Sequence, residues 1–401
     1  MFVIHNRLGS EVEEILMKAS AIQELSKEEA YKLIRAQGSQ IPALMLAASL
    51  VRDRHKGNVV TYSRKVFIPL TNLCRDVCGY CTFVRQPGDP QAHTMTPEEV
   101  LAVAEAGRRA GCKEALFSLG DKPEAKYPEY RSWLQHRGYR TTLHYLHDMC
   151  ELVHQEAGLL PHANPGIMSC QDIAALREVN ASMGLMLESI SHRLLRPGGP
   201  HHRCPDKVPK LRLATIEYAG QLKVAFTTGI LIGIGERLEE RVDSLFAIKQ
   251  LHERYGHIQE VIIQNFCLKP NIPMQDQPEP ALLEMLRTIA VARLILGGGM
   301  NIQAPPNLAS EAYQMYLFAG LNDWGGVSPV TRDFINPERP WPEILQLRAV
   351  TEEAGFQLRE RLPIYPEYVA PGNGFVPPAL AQRILALTDD QGLVKKEEER
   401  W

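Results

Sequence analysis

The 401-residue sequence contains no run approaching about 18 uninterrupted apolar residues, so an ordinary membrane-spanning helix is not expected. Its opening stretch, MFVIHNRLGSEVEEILMKAS, lacks the basic segment, apolar run and small-residue cleavage site of a secretory signal. A cytoplasmic protein is the expectation. Charge of one sign is scarce as well: a formal net charge of −3 gives no reason to expect nucleic acid or a membrane surface as partner. There is no internal repeat of fixed period and no low-complexity linker. A disulfide framework is also missing. Eight cysteines in a chain of this length, in a reducing compartment, stay thiols or serve as ligands and catalytic groups.

A hydrophobic share of 45% with 23% charged residues suits a soluble globular protein with a sizeable core. Residues 1 to 58 read as a helical extension, with Ser26 and Glu29 in capping-box spacing. From there, short apolar β-branched runs alternate with amphipathic segments. The runs are RKVFIPLT (64–71), EALFSL (114–119), GLLPHA (158–163), GLMLES (184–189), KVAFTTGILI (223–232), IQEVIIQNF (258–266) and MNIQA (300–304), with a weaker eighth at WGGVSPV (324–330). Thr96, Pro97 and Glu99 mark a helix start, and Gly111 its end. Near-continuously apolar strands separated by helices predict a parallel sheet covered on both faces. Seven or eight such units over about 270 residues fit an α/β (βα)8 TIM-type barrel better than an open sheet. The expected organisation is a helical extension over 1–58, a barrel core over 59–335, and a C-terminal helical segment over 336–401 whose charged end, KKEEER, is solvated.

In such a barrel, chemistry belongs to the loops at the C-terminal ends of the strands. The one cysteine cluster lies in such a loop, directly after the first predicted strand: Cys74-Arg75-Asp76-Val77-Cys78-Gly79-Tyr80-Cys81. Thiolates are soft ligands suited to zinc or iron–sulfur clusters. A structural zinc site or an electron-transfer cluster takes four protein ligands, and no fourth cysteine is near in sequence. Three thiolates leave one iron open to a substrate or cofactor. Two alternatives remain: three buried thiols acting as small hydrophobes, and zinc with a distant fourth ligand.

This spacing, with Tyr80 before the last cysteine, resembles the radical S-adenosylmethionine (SAM) superfamily. The resemblance implies a [4Fe–4S] cluster on Cys74, Cys78 and Cys81, with SAM on the fourth iron. Ser118, Gly120 and Asp121 stand where the family has a glycine-rich turn for the SAM amino group, although the usual Gly-Gly-Glu is replaced. Glu188 matches a polar SAM contact at the fourth strand, and Gly229, Gly233 and Glu236 match an adenine-supporting motif on the fifth; Asn265 is a further SAM candidate after the sixth. Over about residues 60–335, CRDVCGYCTF, ALFSLGDKPE, PHANPGIMS, NASMGLMLES, GGPHH, FTTGILIGIGE, HIQEVIIQNF and NDWGGVSPVT are similar to the CofG-type subunit of FO synthase. FO is the deazaflavin 7,8-didemethyl-8-hydroxy-5-deazariboflavin.

That likeness implies a lyase that cyclises a tyrosine–5-amino-6-ribitylaminouracil adduct to FO, with loss of ammonia, through a 5′-deoxyadenosyl radical. It also implies a CofH-type radical SAM enzyme as pathway partner and a flavodoxin or ferredoxin-like electron donor. The tyrosine-using partner enzyme is the nearest rival reading, and a non-catalytic iron–sulfur or zinc protein is the rival from another class. Ring closure needs proton transfers, for which His201 and His202 in the irregular loop 196–209 are candidates against a reading as solvated surface histidines. His162 and Asn164 are substrate candidates after the third strand, against a simple Asn-Pro-Gly turn. Asp323, beside Asn322 near the eighth strand, is a similar case. His144 and His147 read as a solvated helix face, and Gly297-Gly298-Gly299 as a helix stop.

Overall fold

The computed structural model describes residues 9–309, 312–370 and 372–396. Eight parallel strands close into a barrel: β1 (Val59–Thr71), β2 (Glu114–Leu119), β3 (Leu160–Asn164), β4 (Ser182–Gly184), β5 (Phe226–Ile232), β6 (Ile258–Asn265), β7 (Asn301–Gln303) and β8 (Asp323–Val327). They pair in sequence order, and β1 closes the ring by pairing with both β8 and β2. The TIM-type barrel expected from the apolar runs is therefore present. Every residue of β5 is buried, as a strand packed by side chains within and helices outside requires. Among the described residues, no helix is long and apolar enough to cross a membrane.

Local signals set several boundaries. Ser26 and Thr96 both cap their helices, and in each a glutamate three residues on returns a bond to the cap backbone. The helices Ser10–Ser20, Lys27–Leu33 and Gln40–Lys56 precede β1, and the last packs on Leu282–Leu296. Gly297 ends that helix with a φ of 80°. The first eight residues of the expected extension, and residues 397–401 of the charged tail, lie outside the described residues.

Two differences from the sequence reading matter for the site. The run 184–189 is a strand only at its first residue, because β4 ends at Gly184. The chain then follows β5 irregularly: the N–H of Leu185 bonds Thr227 and that of Glu188 bonds Gly229. Glu188 itself takes a left-handed φ of 63°, a strained conformation for a residue with a side chain. Secondly, the segment expected to be helical after 336 also supplies a ninth strand, β9 (Gln357–Glu360), paired parallel to the start of β1. Beyond it, Leu362, Ile364, Tyr365, Leu380 and Ile384 form a second core with Leu160, Ala181 and Ala225, at the N-terminal ends of β3, β4 and β5. The C-terminal segment thus plugs the bottom of the barrel and leaves the top open.

Candidate active site

The cysteine loop leaves the C-terminal end of β1 and folds back on itself. Asn72 fastens its base: its side chain donates to the Gln91 carbonyl at 2.7 Å and accepts from the His93 N–H at 2.8 Å. The loop tip docks on two neighbours. The N–H of Gly79 donates to the Pro200 carbonyl at 2.8 Å, and the Gly79 carbonyl accepts from Met274 at 3.2 Å. Gly120 is required by close approach, because a Cβ there would lie 1.9 Å from the Leu73 carbonyl oxygen. With no side chain in the way, the next backbone N–H, that of Asp121, reaches the Cys74 sulfur at 3.1 Å.

Cys74, Cys78 and Cys81 line one cavity of about 250 Å³, together with Tyr80, Ser118, Gly120, Asp121, Asn164, Glu188 and Asn265. Below it lies a second cavity of about 180 Å³ that reaches His162, Lys65 and Glu114. Ser118, Asn164, Met186 and Gln264 line both, so the two form one chamber running from the barrel mouth toward its floor.

The thiols are held protonated. Hydrogen bonding to Cys204 and burial raise Cys78 well above the ordinary thiol value; burial, with Cys78 alongside, raises Cys81; burial and Asp76 raise Cys74. A bound metal cluster would replace those protons, and ligand binding of this kind is coupled to proton release. Three soft donors on one wall suit a [4Fe–4S] cluster with an open iron better than a closed zinc site. A second observation suits a polar cofactor beside it: Asn265 Oδ1 is buried on the cavity wall with no hydrogen-bond partner. An uncompensated buried acceptor costs about 1–3 kcal/mol, which a donor on the cofactor would relieve.

A charged group lines the same cavity as the cysteines. Lys207 donates to Glu188 at 2.6 Å, and Arg212 lies 3.8 Å from the same oxygen. Burial opposes ionisation of Glu188, but Lys207 and Arg212 hold its carboxyl below the usual range. Tyr80 and His201 are hydrogen-bonded at 3.0 Å. His201 is buried, not solvated, and burial with Lys207 nearby pushes its pKa down to about 3. It is a neutral imidazole paired with the Tyr80 hydroxyl. Behind the loop, Asp76, Asp121 and Asp206 form a buried acidic group offset by Arg75 and Lys122. Asp121 is already engaged: its carboxylate accepts from Lys122 and from the Ile167 N–H.

Comparison with known proteins settles the family. A model described as "Radical SAM superfamily" matches residues 68–248. The chain is 53% identical to a 7,8-didemethyl-8-hydroxy-5-deazariboflavin synthase of Methanopyrus kandleri, covering 84% of this chain and 100% of that protein. The chain belongs to the radical SAM superfamily, in the FO synthase family. It is also 48% identical to the FO synthase of Streptomyces coelicolor over 93% of its length, but spans only 44% of that protein. Solved structures share the fold: methylornithine synthase at 20% identity with a TM-score of 0.67, covering 86% of this chain and 97% of that one. The maturase HydG of Carboxydothermus hydrogenoformans follows at 18% and 0.71, covering 90% and 84%. Radical SAM membership carries with it a [4Fe–4S] cluster and SAM.

Against the family's pattern, not every expected residue reaches the chamber. Gly229, Gly233 and Glu236 lie off both cavities. A Cβ at Gly229 would strike the Ile262 carbonyl at 2.2 Å, so this glycine serves β5–β6 packing. Glu236 accepts from the N–H groups of Gly233 and Ile234 and pairs with Arg241, closing the turn after β5. His202 is half-buried and lines neither cavity. Asp323 sits beneath the chamber, bound to Arg361 at 2.6 Å and to Thr61. Sequence reasoning missed Lys207, Arg212, Arg361 and Trp341. Cys204, outside the three-cysteine cluster in sequence, lies against Cys78 although it does not line the cavity. The signal available for the floor was charge within the strand runs, at Lys65, Glu114 and Glu260.

Proposed function

We propose that the chain closes the tyrosine–5-amino-6-ribitylaminouracil adduct into FO with release of ammonia, an ammonia-lyase-type step of deazaflavin biosynthesis in the cytoplasm. Cys74, Cys78 and Cys81 would hold the cluster; Tyr80, Ser118, Gly120, Glu188 and Asn265 would face SAM. When bound, the cluster and SAM would supply the radical chemistry that removes a hydrogen atom from the substrate. The chain's own work is to position and to shield. The loops carrying Gly79, Pro200 and Met274 dock on one another beside the cysteines, and such shielding as the radical chemistry needs would fall to them. Phe67 and Trp341 stack at 5.1 Å on the chamber wall and offer an aromatic face for a phenol ring. Asn164, Gln264 and Gln303 offer amides to ribityl hydroxyls and the uracil.

The observation that carries this reading is the three-cysteine loop opening onto a chamber with a polar floor, in a chain that matches the M. kandleri synthase along its full length. We further propose that a CofH-type radical SAM enzyme supplies the adduct and a flavodoxin or ferredoxin-like protein the electron. The test is substrate choice. Cluster-loaded chain with dithionite and SAM receives either the adduct or free tyrosine plus 5-amino-6-ribitylaminouracil. Deazaflavin from the adduct alone is expected; adduct formation from the free pair would assign the partner's reaction instead.

A further inference from the structure

Three residues at the chamber floor form a chain whose hydrogens can be assigned. The Pro363 carbonyl can only accept, so the single hydrogen of the Ser182 hydroxyl, 2.6 Å away, points to it. The Ser182 oxygen must then accept from His162 Nδ1 at 2.7 Å, which places the imidazole hydrogen on Nδ1. His162 Nε2 is left with a bare lone pair, and it has no partner among the described residues. It lies beside Gly184, where a Cβ would stand 3.0 Å from it, on a wall of the lower cavity. Any side chain at 184 would cover that nitrogen. Glycine keeps it open.

We infer that His162 Nε2 is the chamber's anchoring acceptor: it receives a hydrogen bond from an N–H or O–H at the polar, ureido or polyol end of the substrate and sets how deep the substrate sits below the cysteines. This rests on the FO reading, whose substrate carries both kinds of donor. The surroundings favour a permanent acceptor. Glu114 from β2 faces the ring, but Lys65 from β1 and Arg361 from beyond β9 oppose a further proton, and burial is the largest influence. Together they push the imidazole down to about 4, so the lone pair stays available at any working pH. The sequence makes His162 a substrate candidate by its place after the third strand, while its role as acceptor depends on Ser182 from β4 and Pro363 from the C-terminal plug meeting β3.

Two variants separate anchoring from structure. His162→Leu keeps bulk without an acceptor, while His162→Gln keeps a side-chain oxygen. Each is compared with wild type for KM and kcat on the adduct, for deoxyadenosine formed per deazaflavin, and for iron content and SAM affinity. For His162→Leu the expected result is a KM raised about tenfold to a hundredfold, the range of one lost buried hydrogen bond. Excess deoxyadenosine per deazaflavin is expected with it, at unchanged iron and SAM affinity. His162→Gln is expected to recover most of that loss, and Gly184→Ala to raise KM with His162 intact. Leu and Gln variants that behave alike, or a Leu variant that loses iron, would overturn the inference while leaving an active wild type. Wild-type protein that cleaves SAM but forms no deazaflavin overturns the functional reading, and this inference with it.

Discussion

The mouth and the floor of the barrel are built on opposite principles. At the mouth, reactive side chains come from loops after β1, β2, β4 and β6, pinned by backbone contacts such as Gly79 to Pro200 and Gly120 to Thr71. At the floor, charge is buried inside strands and neutralised by a distant segment: Arg361 binds Asp323 at 2.6 Å and Glu260 at 2.9 Å, and Tyr365 also donates to Glu260. Lys65 answers Glu114 at 2.9 Å. Burying such charges costs several kcal/mol per ion unless each is paired, so the floor has to be rigid and complete. The mouth can be rearranged at little cost to the fold, while the floor cannot. A chamber between them lets one end hold a cofactor and the other hold substrate.

The contrast can be broken from either end. Replacing Cys78 by Ala is expected to abolish deoxyadenosine formation with the thermal midpoint barely changed, because the loop lies beyond the strand ends; deoxyadenosine production in that variant would remove Cys78 as a ligand. Arg361→Ala is expected to do the reverse. Stranding Asp323 and Glu260 should cost about 3–5 kcal/mol in denaturant titration, with cluster occupancy retained in the folded fraction. Gly120→Ala falls between: the clash with Leu73 should cost about 1–3 kcal/mol and lower iron per chain, since Cys74 must move.

A pH series reads the buried histidines together. His162 and His257 are pushed down to about 4 and His201 to about 3, in each case chiefly by burial. Unfolding lets each take a proton near the usual histidine value of 6.5. Stability should therefore be full above that value and fall as the solution is acidified from 6.5 toward 4, by up to about 1.4 kcal/mol per pH unit for each histidine. A midpoint flat across that window would argue that these rings are already solvated. The smallest effect belongs to Cys204→Ala, which should leave iron content and SAM cleavage near wild type, because that thiol contacts Cys78 from outside the chamber. Loss of iron there would make it a ligand.

What could be read from the chain follows the same division. The cysteine spacing, the Thr96 cap and the apolar runs are local, so they identified the loop, the helix and the barrel. Tyr80 and Glu188 were legible for the same reason. Glu188's left-handed backbone was not, since nothing in GLMLES marks where pairing with β5 becomes irregular. His201 looked solvated because its loop is rich in glycine and proline; its burial comes from Tyr80 and Lys207. Arg361 and Trp341 were missed because their partners, Asp323 and Phe67, become neighbours only when β9 and the C-terminal plug pack against the closed barrel. Charges within the strand runs at 65, 114 and 260 hinted that such partners existed, without naming them.

The most direct measurement is a single turnover of the anaerobically reconstituted chain, given dithionite, SAM and the purified adduct. Deoxyadenosine would be followed by mass spectrometry and deazaflavin by its fluorescence. Both are expected to rise together, with neither appearing in the Cys78→Ala variant. Protein that demonstrably carries its cluster yet yields neither product would contradict it.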